Sequence, residues 1–534
     1  MAGSTNETEA PKTMGRQWSP RVNAALLERL AARAAVSAGT KTIVVEAPFS
    51  GDVLGQVPQG TRGDVAAACA AAREAQQDWA RRSFAERAAV MLRFHDLVID
   101  NAAEILDIIQ LESGKARRHA FEEVLDVAIQ ARYYAHTAAG FLEPRRRQGA
   151  LPVLTKAWEH HHPRGVIGII SPWNYPLTLA VGDAVPALMA GNGVVVKPDA
   201  LTPFSSLWAA GLLEEAGLPR GLLQVVTGRG AKLGEPLVDG ADYLMFTGST
   251  ATGRKVAALA AERLKDSSME LGGKNALLVL PDASLRRAVP GTVRGITSGS
   301  GQLCVSIERL YVHAAVYDVF EARLADSLRA VRMGSSLTFL EDMGSLIGAD
   351  QFAKVEGHVA DAVGKGAEAL AGGKARPDLG PSFFEPTLLA GVSDEMDLCR
   401  AETFGPVAAL YRCDSVEEMV DRVNDSSYGL NASIWTRDTR FGRELATRLQ
   451  TGTVNINEAY SATWASASPM GGFKESGLGR RHGSQGIAKF TEAQTVAVER
   501  LMAIDTPPFL SHQQYATLMS AAMKLLRHAT PLIK

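Results

Sequence analysis

Cys304 lies in GSGQLCVSIERLYV (299–312), between a Gly-rich run and an apolar run of strand character. A thiol placed there is more open to a carbonyl carbon than one packed inside a helix, and thiolates attack such carbons well. A lone cysteine is ordinarily a small core residue. Glu270, upstream in MELGGKN and also at a Gly-rich boundary, changes that reading. A thiol that forms an acyl intermediate needs a base to activate the second nucleophile, and a half-buried carboxylate suits the task. Asn174, at the end of GVIGIIS and its following turn, could lend an amide N–H to the developing oxyanion. A different chemistry is offered by GSTATG (248–253), which follows an apolar strand and precedes a helix starting near Arg254. Such a turn lets backbone amides approach a phosphate. It misses the P-loop pattern, because Arg254 precedes Lys255 and Val256 stands where Ser or Thr would hold magnesium. A Gly-rich strand-to-helix turn that binds nothing stays open as the alternative.

These residues need a frame. Between 164 and 250, short β-branched runs (GVIGIIS, GVVVKPD, LLQVVTG, DYLMFTGS) alternate with helical segments, the pattern of parallel βαβ units. A parallel sheet presents ligands at the carboxyl ends of its strands. Those ends carry Trp173 and Asn174, Lys197, Gly228 to Gly230, and Gly248 with Ser249. A second alternation (LLVLPD, ERLYVH, PVAALYRC, ASIWTR, TVNIN) runs from 277 to 457 and predicts a second α/β domain. Upstream, 41–58 reads as a β-hairpin, and helical spacing covers about 21–35, 63–82, 84–113 and 117–142. Residues 1–20 are polar and aperiodic and read as a flexible tail. Residues 510–528 place Tyr515, Leu518, Met519, Ala522 and Leu526 on one stripe, an amphipathic helix expected to dock on its own subunit or a neighbour rather than on a membrane.

Composition narrows the function. The 534 residues exceed what one core organises, so two or three domains are expected. With 56 basic against 58 acidic residues, no net field recruits nucleic acid or anionic lipid, and the partner should be small. The four cysteines (69, 304, 399, 413) form no CxxC, no secretory leader opens the chain, and no apolar run is long enough to span a bilayer. These features point to a reducing cytoplasm. In Glu159-His160-His161-His162, successive strand residues face opposite ways, so the run is not expected to hold a metal.

SPWNYP (171–176), KPD (197–199), FTGSTATG (246–253), ELGGKN (270–275), GQLC (301–304), ETFGPV (402–407) and GGFKESGLGR (471–480) occur in the order and spacing of the aldehyde dehydrogenase superfamily. The resemblance covers about residues 40–500, and the wordings DYLMFTGS, GQLCVSIERLYV and MGSLI are most similar to the actinobacterial succinate-semialdehyde dehydrogenases. It implies an α/β fold in three parts: a Rossmann-like cofactor domain (21–141 and 164–271), an α/β catalytic domain (272–480) and a β oligomerisation element (142–163 and 481–500) that joins subunits into dimers or tetramers. It implies Cys304 as nucleophile, Glu270 as general base, and Asn174 with the Cys304 backbone N–H as oxyanion hole. Lys197 and Glu402 would meet the ribose hydroxyls of NADP or NAD, Phe404 the nicotinamide ribose, and Trp173 and Ser249 the pyrophosphate region, with Gly228 and Gly248 also expected at the cofactor. Tyr175, Leu179, Leu303, Val305 and Trp464 would line the aldehyde tunnel. Because relatives that acylate coenzyme A lack the glutamate, its presence implies a free acid as product.

Three departures stand out. Many NAD-preferring relatives carry Glu three residues after the KP-motif lysine; here Ala200 opens room for the 2'-phosphate of NADP, with Asp199 next to it. The positions where better-studied succinate-semialdehyde dehydrogenases place carboxylate-clamping arginines are Gly182 and Ser298. Either Arg309 or another basic residue replaces the clamp, or the tunnel is apolar and takes neutral aliphatic or aromatic aldehydes. Gly299 and Ser300 replace the usual Asn and Ala before the nucleophile, and Lys474 aligns with a structural position near the sheet ends.

Overall fold

Continuous β-branched runs too apolar for a one-sided surface must be covered on both faces, and in the computed structural model, which describes residues 17–149, 155–499 and 505–527, they are. Val166–Ile170, Gly193–Lys197 and Tyr243–Thr247 have every residue buried. They belong to a six-stranded sheet whose order is Gly477–Leu478, Ser267–Glu270, Tyr243–Thr247, Val166–Ile170, Gly193–Lys197, Leu223–Val225. All of its neighbours are parallel except the first pair. The seven-stranded sheet has the order Glu368–Ala371, Thr387–Ala390, Val407–Cys413, Ile307–His313, Asn275–Val279, Asn431–Trp435, Thr453–Ile456, antiparallel only at its first pair. A third sheet is antiparallel: Thr491–Glu499, Thr155–Pro163, Arg145–Gln148.

Helices flank these sheets where the apolar spacing predicts them. Arg62–Arg81 starts at a capping box, with the Thr61 hydroxyl accepting from Asp64 N and the Asp64 carboxylate accepting from Thr61 N. The periodic stretch 84–113 is two helices, Phe84–Asp100 and Ala102–Ser113, because the chain turns at Asn101 and its side chain donates back to the Leu97 carbonyl. The hairpin is Thr42–Glu46 with Val53–Pro58.

Three expectations need correction. Residues 1–16 lie outside the described part, but 17–20 are not a loose tail: Ser19 is buried, its hydroxyl donates to the Asp107 carboxylate at 2.7 Å, and Trp18 packs against the core. The terminal helix His512–Leu526 fully buries none of its side chains, with Leu518 59% and Leu525 79% exposed and Tyr515, Met519 and Ala522 half-buried, so its docking on its own subunit is at most partial. The third sheet takes only 491–499 of the segment expected for it; Gly483–Ala488 is helical and packs beside Arg117–Leu142.

In the histidine run, His160 and His162 share one face with ring centroids 6.4 Å apart, and His161 turns to Glu159 and Thr491. Among the described residues no group of metal-ligating side chains comes together, and no helix is long and apolar enough to cross a membrane.

Candidate active site

Glu270 is the last residue of Ser267–Glu270, so it stands at the carboxyl end of the first sheet. Cys304 comes from the other domain, on the loop between the turn Ser298–Gly301 and the strand Ile307–His313. That loop is held by Asn275, whose amide donates to the carbonyls of Cys304 at 2.7 Å and Ser306 at 2.8 Å. It also crosses a second loop at the closest possible distance. Gly301 has φ +72, and a Cβ there would fall 2.1 Å from the Gly405 carbonyl group. Glycine at 301 is thus a packing requirement, since no side chain fits there while the nucleophile loop lies on Gly405 and Pro406.

Asn174 follows Val166–Ile170, and its amide donates to the Gln302 carbonyl at 2.8 Å, which ties the amide to the nucleophile loop. The second N–H of that amide is free of this bond. Its backbone is fixed from below: the Lys115 ammonium donates to the Asn174 carbonyl and to Glu123, both at 2.6 Å, and lies 3.7 Å from the Tyr175 ring centre. Glu123 also accepts from the N–H groups of Leu177 and Thr178.

Electrostatics separate the two reactive groups from ordinary side chains. Burial pushes the Glu270 carboxyl up to about 7, with Arg481 pulling the other way, and neither carboxyl oxygen has a hydrogen-bond partner. Burial, and then the charge of Glu270, push the Cys304 thiol up to about 12. At neutral pH the pair rests with the sulfur protonated and the carboxyl near half-titration, the condition of a general base waiting for a proton.

Cys304 is the shared wall of two cavities. One is lined by Trp173, Asn174, Gly248, Ser249, Glu270, Glu402 and Phe404, together with Gln351 and Lys354. The helix Thr250–Glu262 begins at this cavity, capped by the Ser249 side chain accepting from Thr252 N. Glu402 accepts from Gly273 N at 2.8 Å, and burial followed by the charge of Glu308 raises its carboxyl to about 7. Phe404 is held at φ +58 and packs edge-on to Trp173 with ring centres 5.5 Å apart. That unusual backbone is maintained by Glu308, which accepts from Thr403 N and Phe404 N, and by Gln351, which donates to both carbonyls. A helix N-terminus for phosphates, a buried carboxylate for hydroxyls and an aromatic wall beside a nucleophile are the donor set a nicotinamide dinucleotide requires. These residues fit that group.

Two expected cofactor residues sit differently. Lys197, buried at the end of its strand, is not in the cavity lining; its ammonium lies 3.6 Å from where a Gly230 Cβ would be. Gly228 does not reach the cavity either: a Cβ there would lie 2.4 Å from Leu233 and 2.6 Å from the Gln59 amide, so its requirement is packing. Asp199 accepts from Leu201 N at 3.0 Å, which turns one carboxylate oxygen into its own loop.

The other cavity lies on the far side of Cys304. Tyr175, Leu179, Leu303 and Trp464 line it as expected; Val305 does not, being fully buried behind the wall, where its carbonyl accepts from Asn431. Ser298 is buried and bonded to the Tyr460 hydroxyl at 2.6 Å. Arg309 cannot stand in for the missing clamp. Its guanidinium donates to the carbonyls of Lys274, Arg422 and Val423, away from this cavity. Lys474 donates to the carbonyls of Asn424 and Ser426 and joins the strands Tyr428–Gly429 and Phe473–Lys474.

Sequence reasoning missed Gln351, Lys354, Lys115 and the polar residues Asp126, Gln130, Arg481 and His482 of the second cavity. The doublet Arg481-His482 directly follows the motif ending at Arg480, and a charged doublet in a Gly-rich turn was the available signal.

Comparison with known proteins agrees with this geometry. The chain is 51% identical over 491 residues, 92% of its length and 93% of the relative's, to a Mycolicibacterium smegmatis protein named "Putative succinate-semialdehyde dehydrogenase", NADP(+). A Mycobacterium tuberculosis protein of the same description, numbered 2, is 48% identical over 493 residues, covering 92% of this chain and 95% of that one. Among solved structures, the succinate-semialdehyde dehydrogenase of Burkholderia pseudomallei superposes with TM-score 0.83 at 36% identity, covering 86% of this chain and 95% of that one. An NAD+ complex of a Bacillus cereus aldehyde dehydrogenase gives 0.82 at 34%, covering 86% and 93%. The family pattern described as the aldehyde dehydrogenase family matches residues 35–496, and with the thiol, carboxylate and amide converging as described, the chain belongs to that family.

Proposed function

We propose that this aldehyde dehydrogenase oxidises succinate semialdehyde to succinate, with NADP preferred over NAD. The observation that carries the hydrolytic chemistry is the Glu270 carboxyl, buried, without a partner and in one cavity with Cys304. The substrate's identity is supported by the names of the relatives at 48–51% identity. The cofactor preference is supported by the same names and by Ala200, which puts no negative charge where a 2'-phosphate would sit.

Cys304 adds to the aldehyde carbon as its thiol proton is released to solvent, which leaves Glu270, in the same cavity, unprotonated for the later step. The adduct's oxygen is met by the free N–H of Asn174 and the Cys304 backbone N–H. Bound in the first cavity, a nicotinamide dinucleotide would supply the hydride acceptor. Loss of hydride from the adduct leaves a thioester on Cys304. Glu270 then takes a proton from water as that water attacks the thioester carbon, which releases the acid and restores the thiol.

The reading includes a homodimer or homotetramer. Thr491–Glu499 is an edge strand of the small sheet, and it exposes Val496 (39%) and Val498 (45%), a surface that another strand would cover. It also includes the cytoplasm, a reducing compartment that suits four free cysteines.

The test compares kcat/KM for succinate semialdehyde and for butanal, a neutral aldehyde of the same chain length, at saturating NADP. A preference for the charged aldehyde of at least tenfold is expected. Equal or reversed values refute the substrate and leave the tunnel to neutral aldehydes. Activity surviving in Cys304→Ala refutes the mechanism.

A further inference from the structure

The second cavity does not end in apolar side chains. Beyond Tyr175 and Leu303 it is lined by Asp126, Arg481 and His482, with Gly182 and Asp183 beside them. Each of the three carries a buried polar atom with no hydrogen-bond partner: Asp126 Oδ1, Arg481 Nε and His482 Nδ1. Arg481 and Asp126 are otherwise committed. Arg481 Nη2 donates to the Asp183 carboxylate at 2.5 Å and the Thr247 hydroxyl at 2.6 Å. Asp126 Oδ2 accepts from the Gln130 amide at 2.7 Å and from the Thr178 hydroxyl. A residue held at φ +64, as His482 is, has a backbone conformation that its surroundings must impose. Three buried polar atoms without partners, on side chains that line one cavity, are the arrangement of a binding site rather than of a core.

We propose that this chamber receives the carboxylate of an aldehyde acid, with the N–H groups of Arg481 and His482 donating to it and the Asp126 carboxyl donating a third hydrogen bond. The inference rests on the substrate reading above and deepens it: the clamp absent at 182 and 298 is built instead from 126, 481 and 482. Its charge is suitable. Arg481 and Lys489 both pair with Asp183, and the charge of each also reaches Glu270. Burial raises Asp126 to about 6 and Glu270 to about 7, so that each accepts a proton more readily when an anion enters beside it. Burial, with Arg481 adding to it, holds His482 neutral at about 4, leaving one ring N–H to donate.

The test uses the full-length enzyme at saturating NADP and reads the ratio of kcat/KM for succinate semialdehyde to that for butanal. His482→Leu and Asp126→Leu should each lower the ratio about tenfold or more, the loss expected for one hydrogen bond to a charged group. Asp126→Asn, whose amide N–H can still donate, should recover most of it. A ratio unchanged in both leucine variants, with their thermal unfolding showing folded protein, overturns the chamber while the substrate reading stands. A wild type with no preference for the charged aldehyde overturns both. Should the variants not fold, inhibition of the wild type by succinate and by butyrate decides: succinate at least tenfold tighter is expected, and equal inhibition overturns the assignment.

Discussion

Replacing Glu270 with Gln removes the base while keeping its shape. Both carboxyl oxygens are buried and unpartnered, so no hydrogen bond is lost and no neighbour is orphaned. Deacylation should fall 10²- to 10⁴-fold, the range typical for removal of a positioned general base, which corresponds to about 3–5 kcal/mol of barrier. Stability should move the other way at high pH. The folded-state carboxyl is raised from its ordinary 4.5 to about 7, so the folded protein holds the proton more tightly, and stability falls as pH rises between those values. Above pH 7 the wild-type carboxylate therefore costs about 3 kcal/mol that the amide does not, against about 1–3 kcal/mol for burying an amide without partners. The thermal midpoint of Glu270→Gln should equal or exceed that of wild type at pH 8.5, and the difference should shrink or reverse at pH 5. In stopped flow, the variant should show a first-turnover burst of NADPH approaching one per active site, followed by the slowed steady state. The wild-type kcat should rise with pH through about 7, and this limb should vanish in the variant. A burst that disappears together with the steady state would refute the assignment, because Glu270 would then be required for attack by Cys304 rather than for activation of water.

Other perturbations probe the supports. Lys115→Met strips the partner from Glu123 in a fully buried pair, and should cost about 3–5 kcal/mol in denaturant unfolding; adding Glu123→Gln should restore part of it, and a single variant as stable as wild type would disprove the pair's role. Gly301→Ala would force a Cβ to within 2.1 Å of the Gly405 backbone at φ +72, so soluble yield and thermal midpoint should drop sharply; normal stability would mean the two loops can separate. Ala200→Glu should lower kcat/KM for NADP at least tenfold while sparing NAD, through like-charge repulsion of the 2'-phosphate; an unchanged ratio would place that phosphate elsewhere. Light scattering should give the mass of two or four chains, and Val496→Lys on the exposed edge should shift it toward one; a wild-type monomer would refute the proposed assembly.

The parallel strands and the residues at their ends were legible because a fully buried strand is written as an unbroken β-branched run, and its ligand-facing residues come next in the chain. Trp173, Asn174 and Ser249 were found in that way, whereas Glu270 stood out at a Gly-rich boundary upstream of Cys304. What escaped lies across the fold from its partners. The pair Lys115 and Glu123 is helical and carries no local sign that its ammonium reaches the Asn174 carbonyl. Gly228 and Val305 were misplaced because sequence gives the position of a residue relative to its strand but not which way a neighbouring loop leans. Gly228 is occupied by Leu233 and Gln59 from behind, and Val305 turns into the core one residue after the nucleophile. The boundary at 480 failed for a related reason. A family motif ending at Arg480 suggested that a new element began there, whereas the next two side chains line the second cavity, each with a buried polar atom that lacks a partner.

Cys304, Glu270 and Glu402 share one electrostatic condition: burial raises all three above their ordinary values. The causes beyond burial tie them together. The charge of Glu270 contributes to the rise of Cys304, as does that of Glu402, while Arg481 lowers Cys304 and Glu270. Any event that neutralises Glu270 therefore makes the thiol easier to ionise, and any event that draws Arg481 toward another anion does the reverse. A neutral thiol is a poor nucleophile toward oxidants as well as toward aldehydes, so a raised Cys304 thiol should react slowly with both. It follows that iodoacetamide should label Cys304 slowly in the free enzyme and that Glu270→Gln, which removes the negative charge facing the sulfur, should label it faster at the same pH. Slower labelling of that variant would show that the carboxylate serves the thiol as its base in the resting state, and that its charge is not what holds the proton on sulfur.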